Sequence, residues 1–259
     1  MPPDVRVIEH PLIGAMLTEI RSTDTGCEKF RKNLHNISRL MAYEITRELP
    51  SRNIKVTTPL TTAQGIALQR SVIMIPILRA GTGMLNGILD IIPDAKVGHI
   101  GMARDETTCL PTTYYCKMPE SINDSDILLI DPMLATGHSA AAAATLVKEQ
   151  GGINIRFICL VACPEGIKHF CEKHPDIPVY TAAIDEGLDE NSYIVPGLGD
   201  AGDRYFDTEV VRLNQGFSKE DGISTSSIIR FGTGEQTFKQ YYDINNDGSS
   251  AAVERSSAD

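Results

Sequence analysis

The stretch Ile127-Leu-Leu-Ile-Asp-Pro-Met-Leu-Ala-Thr-Gly-His-Ser139 reads as a buried strand, then a loop of small and hydroxylic residues, then a helix start. A strand that is apolar on both faces belongs in a parallel sheet covered by helices on both sides. Asp131 stands where that strand ends. The helix start beyond it leaves backbone N–H groups without intrahelical partners, at the positive end of a helix dipole. The junction suits a phosphorylated sugar. The phosphate takes the N–H groups and the hydroxyls of Thr136 and Ser139, and Asp131 takes the sugar hydroxyls. An ordinary strand-to-helix turn carries similar residues, and no Gly-Lys-Ser/Thr closes the loop as in a P-loop.

Outward from this stretch, strand and helix signals alternate. Residues 71–78, 96–102, 126–130, 153–161 and 178–184 read as strands. Residues 83–92, 140–150 and 165–173 read as helices, the second alanine-rich and stopped by Gly151-Gly152. The fold expected is α/β, a mostly parallel central sheet with helices on both faces. An earlier helix is expected over residues 27–48, with Phe30, Leu34, Ile37, Leu40 and Met41 on one face. Residues 104–118, Thr- and Tyr-rich around Leu110-Pro111, suggest a β-hairpin arm rather than sheet core.

The chain has 259 residues, enough for one α/β domain with additions. Residues 1–215 are read as a single domain and 216–259 as a C-terminal extension. Ser, Gly, Asp and Asn accumulate there, so its last ~15 residues are expected to be disordered, with a short strand at 226–231. A formal net charge of −10 and the lack of a Lys/Arg cluster argue against nucleic-acid binding. Apolar runs are strand-length, so no membrane span is expected. The N-terminal residues do not read as a secretory signal, which points to the cytoplasm. The six cysteines form no Cys-x-x-Cys pair, and Cys159 and Cys163 read as small core residues.

Three further features bear on chemistry. Leu78-Arg79-Ala80-Gly81-Thr82-Gly83 follows a strand directly. Asn86 stands where a dinucleotide fingerprint needs its third glycine, so the loop is read as bringing Arg79 and nearby N–H groups onto a second anion. Arg104 follows another strand, beside Asp105-Glu106, where a local salt bridge is the plainer reading. Arg79, Arg104 and Asp131 share the strand-end edge at which α/β sites form. Residues 193–206, Tyr-Ile-Val-Pro-Gly-Leu-Gly-Asp-Ala-Gly-Asp-Arg-Tyr-Phe, expose backbone that suits the edge of a flat heterocycle; a turn-rich linker is the alternative. His138 either donates to a phosphate or covers the helix start.

These pieces resemble uracil phosphoribosyltransferase, a type I phosphoribosyltransferase family. The match lies in Pro76-Ile-Leu-Arg-Ala-Gly81, Gly101-Met-Ala-Arg-Asp-Glu106, Asp131-Pro-Met-Leu-Ala-Thr-Gly137, Val161-Ala-Cys-Pro-Glu-Gly166 and Tyr193-Ile-Val-Pro-Gly-Leu-Gly-Asp-Ala-Gly-Asp203. It runs from about Val5 to Thr208. The resemblance implies that uracil and 5-phosphoribosyl 1-diphosphate (PRPP) give UMP and diphosphate, with Mg²⁺ held mainly by the substrate diphosphate and not by the protein alone. PRPP would lie on Arg79, Arg104, Asp131, Pro132, Met133, Leu134, Ala135, Thr136, Gly137, His138, Ser139 and Asp200. Uracil would lie on Ile194, Gly199, Asp200 and Ala201. Asp200, Arg79 and Arg104 would be catalytic, and the Gly-rich loop at 197–202 a hood. A homo-oligomer, dimer or tetramer, and activation by GTP also follow from the resemblance. His138 replaces the glycine usual in the family. The alternatives are a nucleotide-sensing regulator without turnover, or a phosphoribosyltransferase for another base.

Overall fold

All five strand signals become neighbours in one sheet, because segments apolar on both faces are buried only between two helical layers. The computed structural model describes residues 4–104 and 111–208. In chain order the strands are β1 (Val5–Val7), β2 (Ser51–Thr57), β3 (Thr62–Leu68), β4 (Ser71–Leu78), β5 (Lys96–Val97), β6 (His99–Arg104), β7 (Pro111–Lys117), β8 (Ser125–Ile130), β9 (Met133–Leu134), β10 (Asn154–Ile158), β11 (Val161–Ala162), β12 (Val179–Thr181), β13 (Ala183–Ile184), β14 (Gly187–Leu188) and β15 (Ile194–Val195). The helices are α1 (Pro11–Arg21), α2 (Cys27–Ile45), α3 (Thr82–Leu89), α4 (His138–Glu149), α5 (Pro164–Lys173) and α6 (Ala201–Phe206).

The main sheet has the order β1-β12-β10-β8-β4-β6-β7, with β5 also on β4. Every pairing in it is parallel except β6 with β7. Side chains alternate across its faces. Val72, Met74, Leu128 and Ile130 join the core beneath α1, α2 and α3. Ile73, Ile75, Ile127 and Leu129 join the core beneath α4 and α5. Each such fully buried side chain contributes about 1.5–3 kcal/mol. The alanines of α4 let that helix lie close to the sheet: Ala140, Ala141, Ala143 and Ala144 are all buried. Cys159 and Cys163 are fully buried, as read from the sequence.

The helix over residues 27–48 forms as α2 followed by a 3-10 turn at Thr46–Glu48, with Phe30, Leu34, Ile37 and Met41 fully buried. Other boundaries differ from expectation. The helix expected at 83–92 is α3, which ends at Leu89. The strand expected at 153–161 breaks at Cys159 and Leu160, and the one at 178–184 breaks at Ala182. The breaks let β11 and β13 leave the main sheet and build a second small sheet, β13-β11-β9, around the loop that follows Asp131.

The hairpin expected at 104–118 is corrected. β6 and β7 are antiparallel partners, but β7 is the edge strand of the main sheet rather than a separate arm. Its hydroxylic residues suit an exposed edge. The arm is the hairpin of β2 and β3, paired from Ser51–Leu68 to Thr57–Thr62 and bearing exposed Leu60 and Ile66. Its alternation is dilute because both faces are largely solvated. The 216–259 extension with its expected disorder and short strand, the Arg104 pairing with Asp105-Glu106, and Cys109 lie outside the described residues.

Candidate active site

Parallel register brings the site together. Pro76 of β4 pairs with Ile130 of β8, so Arg79 and Asp131 leave the sheet at one edge. Leu78 pairs with Gly101 of β6, and Arg104 closes that strand on the same edge. Asp131 is half-buried, and its N–H donates to the Ile158 carbonyl at 3.0 Å. Its carboxyl is pushed up to about 7, chiefly by burial. The Met133 N–H, 3.4 Å from Oδ1, opposes that rise, and the nearby Asp200 charge adds to it.

The loop after Asp131 is built from the chain that faces it. The Pro132 carbonyl accepts from Leu160 and Val161 N–H at 2.9 and 3.0 Å. The Cys163 thiol donates to the Ala135 carbonyl at 3.0 Å. Gly137 sits at φ +80° as the N-cap of α4, which begins without a side-chain cap. A Cβ on Gly166 would collide with the Ala135 carbonyl and lie 2.5 Å from that of Leu134. The Val161–Gly166 motif is therefore the wall against which the loop is pressed. Pro132 and Leu134 are buried in that wall, while Thr136 is half-buried and Ser139 exposed. Among the described residues the hydroxyls of Thr136 and Ser139 have no protein partner. His138 is exposed and its ring lies 4.3 Å from that of His169. His169 is held below the usual imidazole pKa, first by burial and then by His138.

Around Arg79 one expectation changes. The N–H groups of Gly81, Thr82, Gly83 and Met84 already bond to the carbonyls of Ile77, Arg79, Ala80 and Gly81 at 2.9–3.2 Å. Those four are not open to an anion, whereas among the described residues the N–H groups of Arg79 and Ala80 have no backbone partner. The loop also offers the Arg79 side chain, whose Nη2 donates to Asp203 Oδ1 at 3.0 Å and whose guanidinium lies 5.7 Å from the Phe206 ring centroid.

The glycine-rich stretch arches from β15 into α6. Gly197 has φ +56° and Gly199 φ +76°. Asp200 is the N-cap of α6, its Oδ1 accepting from Asp203 N–H at 2.8 Å. The carbonyls of Gly197 and Leu198 accept from Arg21 and Arg204 at 2.6 and 2.8 Å. Among the described residues the Gly199 carbonyl and the Ala201 N–H, both of residues that line a cleft, have no partner. A cleft of about 230 Å³ lies between Asp131, Met133 and Ala135 on one side and Ile194, Gly199, Asp200 and Ala201 on the other. Ala80, Ser192, Tyr193 and Gly202 also line it and had no assigned role. Tyr193 and Gly202 lay inside the quoted motif, but Ser192 is brought in by a φ of +68° that the sequence does not announce.

A model of the uracil phosphoribosyltransferase family matches residues 7–208. The chain belongs to the uracil phosphoribosyltransferase family. Among its relatives, the uracil phosphoribosyltransferase of Alkaliphilus oremlandii is 51% identical over 206 residues, covering 79% of this chain and 99% of the relative. That of Clostridium tetani is 52% identical over 206 residues, with 79% and 99% covered. A solved structure of the AQ2163 protein from Aquifex aeolicus is 33% identical, covers 80% of this chain and 99% of its own, and superposes with a TM-score of 0.76. The family match includes every residue that lines the cleft.

Proposed function

We propose that the cleft transfers ribose 5-phosphate from PRPP to uracil, with the base against Ile194 and Gly199–Ala201 and the sugar phosphate on the loop from Asp131 to Ser139. The observation that carries this reading is the convergence of Asp131, Asp200 and open backbone groups on one cleft, beside the uncapped start of α4. Membership of the family gives the reaction class, a pentosyl transfer that salvages uracil as UMP.

The residues account for the chemistry. As the C1–O bond breaks, negative charge grows on the diphosphate and positive charge on the sugar. Arg79 reaches the first as a fork of donors, with Arg104 assigned the same role by its strand-end position. Asp200 faces the second, and Asp131 orients the ribose hydroxyls. Uracil presents acceptor, donor, acceptor along one edge. A backbone matched to it leaves cytosine with unpaired buried groups, a strong basis for discrimination. The hood of β15 and α6 excludes water, which would hydrolyse PRPP.

Mg²⁺ fits this donor set. Asp131 and Asp200 offer hard carboxylate oxygens, and among the described residues no group of three or more His, Cys, Asp and Glu is placed to hold a metal. A cation carried mainly by substrate phosphates is what such a site suits. When bound, it supplies charge neutralisation at the leaving diphosphate.

The same reading includes a homo-oligomer, supported by the apolar residues that the β2–β3 arm exposes, and a single domain over residues 1–215. It also includes a cytoplasmic setting. The free cysteines at 27, 116, 159, 163 and 171 suit a reducing compartment, and no helix among the described residues is long and apolar enough to cross a membrane. GTP activation rests on the resemblance alone; turnover with and without GTP, in full-length protein and in a chain ending near residue 213, decides it. The reaction is tested with Mg²⁺, PRPP and labelled uracil, with cytosine and hypoxanthine as controls. UMP from uracil alone is expected, and its absence overturns the reading.

A further inference from the structure

The base-reading stretch is gripped from behind by two residues that do not line the cleft. Arg21, the last residue of α1, donates to both carboxylate oxygens of Asp185 at 2.7 and 2.6 Å. The same guanidinium donates to the Gly197 carbonyl at 2.6 Å, and Asp185 Oδ2 accepts from Gly197 N–H at 2.9 Å. One ion pair thus fixes both backbone groups of one residue. The Asp185 side chain is 6% exposed and that of Arg21 24%. Gly197 is held at φ +56°, where a Cβ would collide with the Ile194 carbonyl. Ile194 and Gly199, which flank it, line the cleft.

We propose that Arg21 and Asp185 are positioning residues that set base selectivity by fixing Gly197, and through it the backbone that reads the base. This rests on the assignment of residues 194–201 to uracil. Recognition by backbone groups has no side-chain rotamers with which to adapt. A displacement of about 1 Å is therefore enough to lose a roughly hundredfold factor. The grip needs an arginine: a planar fork serves two carboxylate oxygens and a carbonyl together, whereas a lysine ammonium is a single point. It also ties the N-terminal helix to the hood across 176 positions of sequence.

Steady-state kinetics of full-length Arg21→Lys, Asp185→Asn and the double variant test this, with Ala201→Leu as a probe of the cleft itself. KM for uracil should rise roughly 10- to 100-fold in each single variant, and the preference for uracil over cytosine should fall. KM for PRPP should stay within about twofold. The double variant should be no worse than the worse single one, because the pair acts as a unit. KM values and the ratio between two bases are independent of the folded fraction, so partial unfolding does not mimic the result. Lower stability or kcat with KM for uracil and base preference unchanged would overturn the proposal. If Ala201→Leu leaves KM for uracil unchanged, the base lies elsewhere and the site assignment fails with it. If Ala201→Leu raises that KM and the Arg21 and Asp185 variants do not, only the positioning role falls.

Discussion

Arg79, at the end of a central strand, donates to Asp203 of α6 at 3.0 Å, so the arginine expected at the diphosphate is tied to the helix that follows the base loop. The Arg79 side chain is 59% exposed, and exposed pairs contribute little to stability. In the proposed reaction its charge serves the substrate diphosphate instead. Arg79→Lys should lower kcat/KM for PRPP by roughly 10- to 100-fold, since lysine lacks the fork. The thermal midpoint should hardly move. A kcat/KM equal to that of the wild type would take Arg79 out of the diphosphate site.

Asp131 is a carboxyl whose pKa is raised to about 7 by burial, with Asp200 adding to the rise. The unfolded value is about 3.9. The buried carboxyl therefore costs no stability below pH ~4, where both states are protonated, and costs most above pH 7, where the folded state must carry the charge. Asp131→Asn should raise the thermal midpoint of the ligand-free protein at pH 8, and the gain should shrink as pH falls to 5. A gain independent of pH would show that Asp131 is not the titrating group.

Gly166 tests the packing of the phosphate loop. A side chain there meets the carbonyls of Leu134 and Ala135, which belong to backbone and cannot rotate away. Gly166→Ala should cost about 1–3 kcal/mol of stability and raise KM for PRPP. KM for uracil should change less, because the base loop lies across the cleft. Equal effects on both substrates would mean that the two halves of the site do not move separately.

The fold was legible where burial imposes a pattern. β4 and β8 read directly because residues 72–78 and 127–130 are apolar throughout, and α2 because Phe30, Leu34, Ile37 and Met41 repeat at helical spacing. α1 carries the same signal in Ile13, Leu17 and Ile20 but is short and begins at a proline. β2 and β3 were silent because neither face is buried. In the site, Asp131, Ile194, Gly199, Asp200 and Ala201 were legible and do meet in one cleft. The Arg21–Asp185 grip was not, since nothing local marks two residues that meet only through the fold.

His138 stands where the resemblance implies a glycine; it is exposed, and its ring is tilted by 41° to that of His169, with centroids 4.3 Å apart. His138→Gly should therefore keep kcat/KM for PRPP within roughly threefold, the change that about 0.6 kcal/mol produces. It should cost about 0.5–1 kcal/mol of stability through the added backbone freedom at the start of α4. A collapse of activity would show that the imidazole contacts substrate.

Asp200 caps a helix and has a proposed role in the chemistry, and one pair of substitutions separates the two. Its Oδ1 caps α6 through Asp203 N–H, and its charge stands in the cleft beside Asp131. Asparagine caps a helix as well as aspartate does, whereas alanine does not, at a cost of about 1 kcal/mol. Asp200→Asn should keep the thermal midpoint yet lower kcat by roughly 100-fold, because the charge facing the developing cation is gone. Asp200→Ala should lose both. The asparagine variant should also let Asp131 ionise at lower pH, since one of the causes of its raised pKa is removed. That shift is measurable as a smaller pH-dependent stability loss that levels off at lower pH. If kcat survives in Asp200→Asn while Asp200→Ala merely unfolds more easily, Asp200 is a helix cap and the cation must be met by Asp131 alone.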